Sequence, residues 1–344
     1  MVDKFYSREI ELTYDDVLIV PMKTSVRSRT DVNLNVNIGT SHLKYPIMSA
    51  AMDTVTGKKM VEAMADAGGL AIVHRFQSVS DRLKCVSASM PAGIAVGLDE
   101  TEEEILELAS HCEVIALDIA HAHATYCITR TKELSEILSS TTCQLMVGNI
   151  VTRQAAWELI EAGADILKVG IGGGSACSTR IVTGMGYPNV SAILEVRKAI
   201  DEHKFGRTIK LVADGGIRTS GDIAKALASG ADCVMVGGML AGCDESPGLK
   251  KMGTHGVYTK EFRGMASKEA QDDWKGGLKS FTVAEGVASY VDATGPAKDT
   301  IENLMGGLRS SFTYADANNI KEFQQNTQFV RVTTNCLNES KPRV

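Results

Sequence analysis

Cys177 stands near the end of a glycine-rich run, GIGGGSACSTR at positions 170–180, which directly follows the apolar segment 165–169. Glycines at 170, 172, 173 and 174 open backbone conformations closed to other residues and let a ligand approach the main chain. A thiol at the end of such a loop has main-chain donors and a substrate cavity within reach. That suits a covalent nucleophile, which needs activation and access rather than burial. Free cysteines mostly behave as small buried hydrophobes, so a structural thiol in a flexible loop is the competing reading. The cysteines at 85, 112, 127, 143, 233, 243 and 336 form no C-x-x-C pair and no zinc-ligand spacing with histidine. They read as packing residues or free thiols.

Two further loops carry paired glycines, ADGGIRTSGD at 213–222 and VGGMLAG at 236–242. Each places its glycines at the end of an apolar run and then starts a helix, which is how backbone amides are presented to a phosphate. Tight turns alone would also use such glycines. Asp214, just ahead of its pair, is suited to accept hydrogen bonds from ribose hydroxyls. His121 and His123 sit two apart in a loop with no third ligand in view, a weak metal signal.

The elements that must hold these loops are short apolar runs at 46–49, 69–73, 93–97, 114–118, 144–148, 165–169, 210–214 and 232–236. Unbroken apolarity marks strands buried on both faces of a parallel sheet. Helix punctuation lies between them. Thr101 and Glu104 are spaced as a capping box, Thr152 begins a helix that ends at Gly163, Ser220 is expected to cap another that stops at Gly230, and one starts near Ser191. Eight strand–helix units predict a single (β/α)₈ barrel spanning 1–344, with its site at the carboxyl ends of the strands. An open doubly wound sheet competes, but its glycine fingerprint belongs after the first strand, whereas here the rich loops follow strands six, seven and eight. Residues 250–295 lack a strand–helix rhythm and read as a polar active-site flap. The tail is expected to hold one or two short helices and an extended QFVRV segment.

Composition narrows the classes. A chain of 344 residues, 44% hydrophobic and 23% charged, is of globular type. A net charge of −6 argues against nucleic-acid or anionic-membrane partners. The N-terminal stretch has no signal-like apolar region and no run approaches a membrane span. The expected setting is a reducing cytoplasm.

Taken together, GIGGGSACSTR, the following GMGYP, DGGIRTSGDIAKAL, GGMLAG and PIMSAAMDTV (46–55) resemble the IMP dehydrogenase / GMP reductase family, over nearly the whole chain. The resemblance implies a (β/α)₈ barrel, a homotetramer, and chemistry at C2 of a purine nucleotide monophosphate through a cysteine thioimidate and a nicotinamide cofactor. It makes Cys177 the nucleophile. It gives Asp214, Gly215 and Gly216 to ribose and phosphate, and Gly237 and Gly238 to the phosphate. Gly264, Met265, Ala266 and Gly286 would contact the nucleotide. Backbone carbonyls of Gly172, Gly174, Cys177 and Arg180 resemble a potassium site. Asp118, Ile119 and Ala120 would face the cofactor, with a plain strand cap as the competing reading of Asp118; Ser28, Arg29, Arg75, Ser310 and Ser311 resemble positions that reach the phosphates of NADP, some across a subunit interface.

Within the family the chain resembles the reductase branch. It has no CBS regulatory domain, GGMLAG lacks the serine usual in dehydrogenases, and the Arg-Tyr pair that activates water is not found in the short flap. KGGLKSFTVAEG (275–286) resembles the reductase segment that carries a glutamate, here Glu285. DGGIRTSGDI is closer to the dehydrogenase form, and Phe281-Thr282 replaces the usual Tyr-Arg. The implied reaction is NADPH-dependent deamination of GMP to IMP, with Thr179 and Glu285 relaying a proton to departing ammonia. A dehydrogenase without its regulatory domain and an idle nucleotide-binding paralogue are the alternatives.

Overall fold

Eight apolar runs become the eight parallel strands of a closed barrel: β1 (Ile47–Ser49), β2 (Leu70–Val73), β3 (Ala92–Val96), β4 (Val114–Asp118), β5 (Gln144–Ile150), β6 (Ile166–Val169), β7 (Lys210–Asp214) and β8 (Cys233–Val236). This computed structural model describes residues 4–341 apart from 8, 88, 203–205, 254 and 255. The strands follow one another around the barrel and β8 closes on β1. Every residue of β2, β3 and β8 is buried, because the barrel interior covers one face and the helix ring the other. Each buried Ile, Leu or Val there contributes roughly 1.5–3 kcal/mol. β5 runs two residues beyond the expected Gly148, with a register irregularity between Gly148 and Ile150. That extension delivers Asn149 to the barrel mouth.

The helix ring is α1 (Lys58–Ala67), α2 (Val79–Cys85), α3 (Glu102–Ala109), α4 (Thr125–Leu138), α5 (Arg153–Glu161), α6 (Asn189–Glu202), α7 (Ser220–Ala228) and α8 (Ala297–Tyr314). The Thr101/Glu104 box caps α3 and Thr152 caps α5. α6 begins two residues before Ser191.

At α7 the cap is Thr219, not Ser220. Thr219 is extended (φ −144°, ψ 165°), and its side chain and that of Asp222 each accept from the other's backbone N–H. This reciprocal box leaves Ser220 inside the first turn, where it packs against α8. There, a side chain at Gly307 would bring Cβ to 2.2 Å from Ser220 Oγ. Gly307 is thus a close helix–helix contact, whereas Gly306 faces open space. α8 is 18 residues long, and a short helix, Ile320–Asn326, follows it in the tail. The extended tail segment forms strand Phe329–Arg331, paired antiparallel with Val17–Ile19.

Residues 250–295 are more ordered than their sequence suggests. Lys250–Met252, Tyr258–Arg263 and Ala288–Asp292 make a three-stranded antiparallel sheet, and Lys268–Lys275 is a helix between them. Positions 254 and 255 of that segment lie outside the described residues. Lys250–Met252 and Ala288–Asp292 are largely exposed, and the two buried positions of Tyr258–Arg263 are Lys260 and Phe262, so the sheet carries no apolar run to betray it.

Candidate active site

The loops at the carboxyl ends of the strands enclose a cavity of about 590 Å³. Cys177 lies on its wall, half-buried, in the loop after β6. Its thiol is 3.2 Å from Thr179 Oγ1, which donates to Glu285 Oε2 at 2.9 Å. Glu285 comes from the far end of the flap and is fixed through its backbone: its N–H donates to Ala266 O (3.1 Å) and its carbonyl accepts from Ser178 N–H (2.9 Å). Val287 N–H donates to Ala176 O at 3.0 Å. Thiol, hydroxyl and carboxylate thus form one hydrogen-bonded chain, within the 2.6–3.2 Å reach that proton transfer needs.

Opposite the flap, strands β4 to β7 contribute a buried polar network. Lys168, 4% exposed in the middle of β6, donates to Asp118 Oδ1 (2.9 Å), to Asp214 Oδ2 (3.3 Å) and to Asn149 Oδ1. Burial pushes this ammonium down, but Asp118 and then Asp214 outweigh it and hold it above its usual value. Asn149 Nδ2 also donates to Asp214 Oδ2 at 2.8 Å. The network therefore occupies one oxygen of Asp214 and leaves Oδ1 for a ligand. Asp118 is likewise more than a strand cap, since it is a counter-ion that still faces the cavity.

Gly215, Gly216, Gly237 and Gly238 line the same cavity. Gly215 sits at φ +91°, and a Cβ there would meet Gly174 N at 3.0 Å; only glycine permits the β6 and β7 loops to approach so closely. A Cβ at Gly238 would reach 3.2 Å from Ser175 Oγ, and at Gly237 3.2 Å from Met52 Sδ. Backbone, one hydroxyl and an open cradle fit a phosphate group. Gly264, Met265, Ala266 and Gly286 also line the cavity, and Gly264 and Gly286 lie tight against Ala176 O.

The expected cofactor positions divide. Arg75, Asp118 and Ala120 line the cavity; these fit a nicotinamide cofactor in having one cation, one acid and an open floor. Ile119 does not; its N–H and carbonyl are bonded to Gly148 O and Asn149 N–H. Ser28, Arg29, Ser310 and Ser311 are not among the cavity's residues. Ser28 caps the turn Arg29–Asp31, and Arg309 of α8 donates to Arg29 O at 3.3 Å, so these four share one patch beside α8.

Of the four carbonyls expected for potassium, Gly174 O accepts from Cys177 N–H (3.0 Å) and Arg180 O from Gly184 N–H (3.1 Å), which leaves each a second lone pair. The Arg180 guanidinium braces this loop, donating to Ile171 O (3.3 Å) and Tyr187 O (2.6 Å). His123 pairs with Glu158 at 3.3 Å, and among the described residues no three His, Cys, Asp or Glu cluster as metal ligands.

Sequence reasoning passed over Ser175, Asn149, Lys168 and the flap anchor. Lys168 carried a signal, a lone charge inside a strand buried on both faces, which demands a partner. The anchor joins Asp53, from the β1 loop, to the flap. Arg263 Nη2 and Trp274 Nε1 both donate to Asp53 Oδ2, at 2.6 and 2.7 Å. His74 stacks edge-on to Trp274, ring centroids 5.4 Å apart, and burial pushes its pKa down to about 4.

A barrel of this kind, with a thiol, a glycine-lined cradle and an acid-bearing flap at its mouth, is matched by known proteins. The sequence profile of the IMP dehydrogenase / GMP reductase domain matches residues 11–343. The chain is 38% identical to a GMP reductase of Escherichia coli (94% of this chain, 95% of that protein). It is 36% identical to an IMP dehydrogenase of Cryptosporidium parvum (96% and 94%), and 32% identical to one of Methanocaldococcus jannaschii (96% and 94%). Among solved structures, a cysteine-to-alanine variant of Trypanosoma brucei GMP reductase in complex with guanosine 5'-monophosphate superimposes with a TM-score of 0.91, at 28% identity and with both chains fully covered. The chain belongs to the IMP dehydrogenase / GMP reductase family of (β/α)₈-barrel oxidoreductases, whose reductases work with a nicotinamide cofactor. Among the described residues no helix is long and apolar enough to cross a membrane.

Proposed function

We propose that this chain is a GMP reductase that converts GMP to IMP and ammonia at the expense of NADPH, in purine salvage. The observation that carries the reading is the Cys177–Thr179–Glu285 chain: a nucleophile with a proton route built beside it.

In this reading the nucleotide phosphate lies in the cradle of Gly216, Gly237, Gly238 and Ser175, Asp214 Oδ1 accepts from the ribose, and Gly264–Ala266 with Gly286 border the base. The Cys177 thiolate attacks C2 of guanine. Thr179, hydrogen-bonded to Glu285, passes a proton to the amino group, and the C2–N bond breaks to release ammonia, leaving a thioimidate on Cys177. Splitting one hard displacement into two steps is the gain of covalent catalysis. Bound NADPH would supply hydride to C2. As the C2–S bond breaks, Cys177 recovers its thiolate and IMP departs. Arg75, Asp118 and Ala120 form the cofactor side of the cavity. Ser28, Arg29, Ser310 and Ser311 would serve a neighbouring subunit of a homotetramer, and a monovalent cation such as potassium would sit on the carbonyls of Gly172, Gly174, Cys177 and Arg180. The protein is expected to work in the cytoplasm.

The second reading, an IMP dehydrogenase without a regulatory domain, draws support from the two dehydrogenase relatives. One assay separates them. The protein is given GMP with NADPH, and separately IMP with NAD, while the nicotinamide absorbance is followed. Loss of NADPH with release of ammonia is expected; steady NADH production from IMP without ammonia would overturn the reductase reading.

A further inference from the structure

Three cations face one another at the β2 side of the cavity mouth: Arg75 from the loop after β2, and Lys275 and Lys279 from the flap. Phe76 lies between two of them. The Arg75 guanidinium carbon is 4.3 Å from its ring centroid and the Lys275 ammonium 4.8 Å. A ring face attracts each cation and so brings two like charges together. Among the described residues none of the three has a carboxylate within ion-pair distance, although eight of the thirteen described arginines do have one. Arg75 spends only its Nε, on Asp118 O at 3.0 Å. Lys275 is held below its usual value by burial, then by the charges of Arg75 and Lys279; Asp99 opposes them weakly. Unrelieved repulsion inside a cavity is what a bound anion would relieve.

We propose that Lys275 and Lys279 of the flap, the first braced with Arg75 on the Phe76 ring, complete a phosphate-binding site for the nicotinamide dinucleotide. The inference rests on the reading of the cavity given above and adds the two lysines to it. The mononucleotide has one phosphate, and the glycine cradle on the β6–β8 loops receives it. In the closed barrel β2 faces β6 across the axis, so a second anion site there calls for a ligand with further phosphates. A dinucleotide has them. The guanidinium can hold a phosphate with two parallel N–H bonds and the lysines act as point charges. Because both lysines ride on the flap, phosphate binding also draws the flap onto the barrel.

Two probes tell which phosphate is held: 2',5'-ADP, which carries the extra phosphate of NADPH, and 5'-ADP, which carries only the pyrophosphate. Each is titrated calorimetrically into the wild type and into Lys275→Gln/Lys279→Gln, with a GMP titration as the check on fold. The double variant is expected to weaken one probe or both by tenfold or more while GMP binding stays within twofold. Selective loss of 2',5'-ADP assigns the extra phosphate, selective loss of 5'-ADP the pyrophosphate, and equal loss of both the 5'-phosphate that the two probes share. Equal binding by wild type and variant, or no binding of either probe by the wild type, overturns the proposal. A wild type that binds 2',5'-ADP through these lysines yet leaves NADPH unoxidised with GMP would sink the reductase reading and leave the phosphate site standing.

Discussion

Trp274 Nε1 donates to Asp53 Oδ2 at 2.7 Å, tying the flap helix to the loop after β1 across 221 positions of sequence. Asp53 is 9% exposed and also holds Arg263, so the flap closes onto a buried carboxylate. Glu285, at the end of the same flap, is tied back to the barrel through Ala266, Ser178 and Thr179.

Trp274→Phe keeps the ring beside His74 and deletes the donor. A hydrogen bond to a charged group is worth roughly 1.5–3 kcal/mol, so the flap should open about tenfold more often or beyond. Hydrogen exchange at the amides of Glu285 and Val287, which close onto Ala266 and Ala176, should speed up accordingly. Unchanged exchange at those two amides would show that the anchor is idle.

Glu285→Gln removes the carboxylate at the end of the proposed proton route. Loss of a positioned acid or base typically costs 10²–10⁴ in rate, and the loss should fall on deamination alone. Given IMP, NADP and ammonia, the variant is expected to reduce about one equivalent of NADP per site in a burst, as one thiol per site allows, and then stall. Cys177→Ala should give no burst and still bind nucleotide within about tenfold, or ~1.4 kcal/mol. A burst from the cysteine variant would remove Cys177 from the mechanism.

Gly238→Ala tests the phosphate cradle. The added methyl would sit 3.2 Å from Ser175 Oγ and otherwise only near the Phe262 ring, at 3.8 Å, so the fold should tolerate it while the cradle fills. The Michaelis constant for the nucleotide is expected to rise about tenfold, or ~1.4 kcal/mol, with the thermal midpoint little changed. Normal nucleotide binding in a folded variant would put the phosphate elsewhere.

His74 predicts an acid limb of stability. Burial lowers its pKa to about 4 from the usual 6.5, Asp53 opposing and Arg82 and Arg263 assisting. Between those two values the unfolded chain takes up a proton that the folded chain refuses, so stability falls as pH drops through that window and levels off below it. The full effect is about 3 kcal/mol. Replacing the imidazole by phenyl, His74→Phe, should flatten that limb in denaturant titrations at stepped pH, and a limb of undiminished slope would locate the titrating group elsewhere.

The barrel was legible in the chain because strands buried on both faces must be apolar throughout, and eight such runs separated by capped helices close in only a few ways. Cys177 and the glycine pairs could be placed at the cavity from sequence because each lies within one loop at a strand end. Ser220 misled because adjacent Thr and Ser are equally able to cap, and only the backbone angle at Thr219 chooses between them. The flap sheet stayed hidden because its outer strands are exposed and one of the two buried positions of the central strand is Lys260, so no apolar run forms.

What no local pattern encodes is convergence. Asp118, Asn149, Lys168 and Asp214 come from four successive strands and meet only because the barrel brings those strand ends side by side. Glu285 reaches Thr179 over 106 positions, and Trp274 reaches Asp53 over 221. Hydrophobic periodicity specifies the strands and helices, since burial of a face is a local demand on residue type. The pairing of charges and donors across the mouth is decided by closure of the barrel, since a hydrogen bond depends on where two chain segments end in space and not on how far apart they lie in sequence.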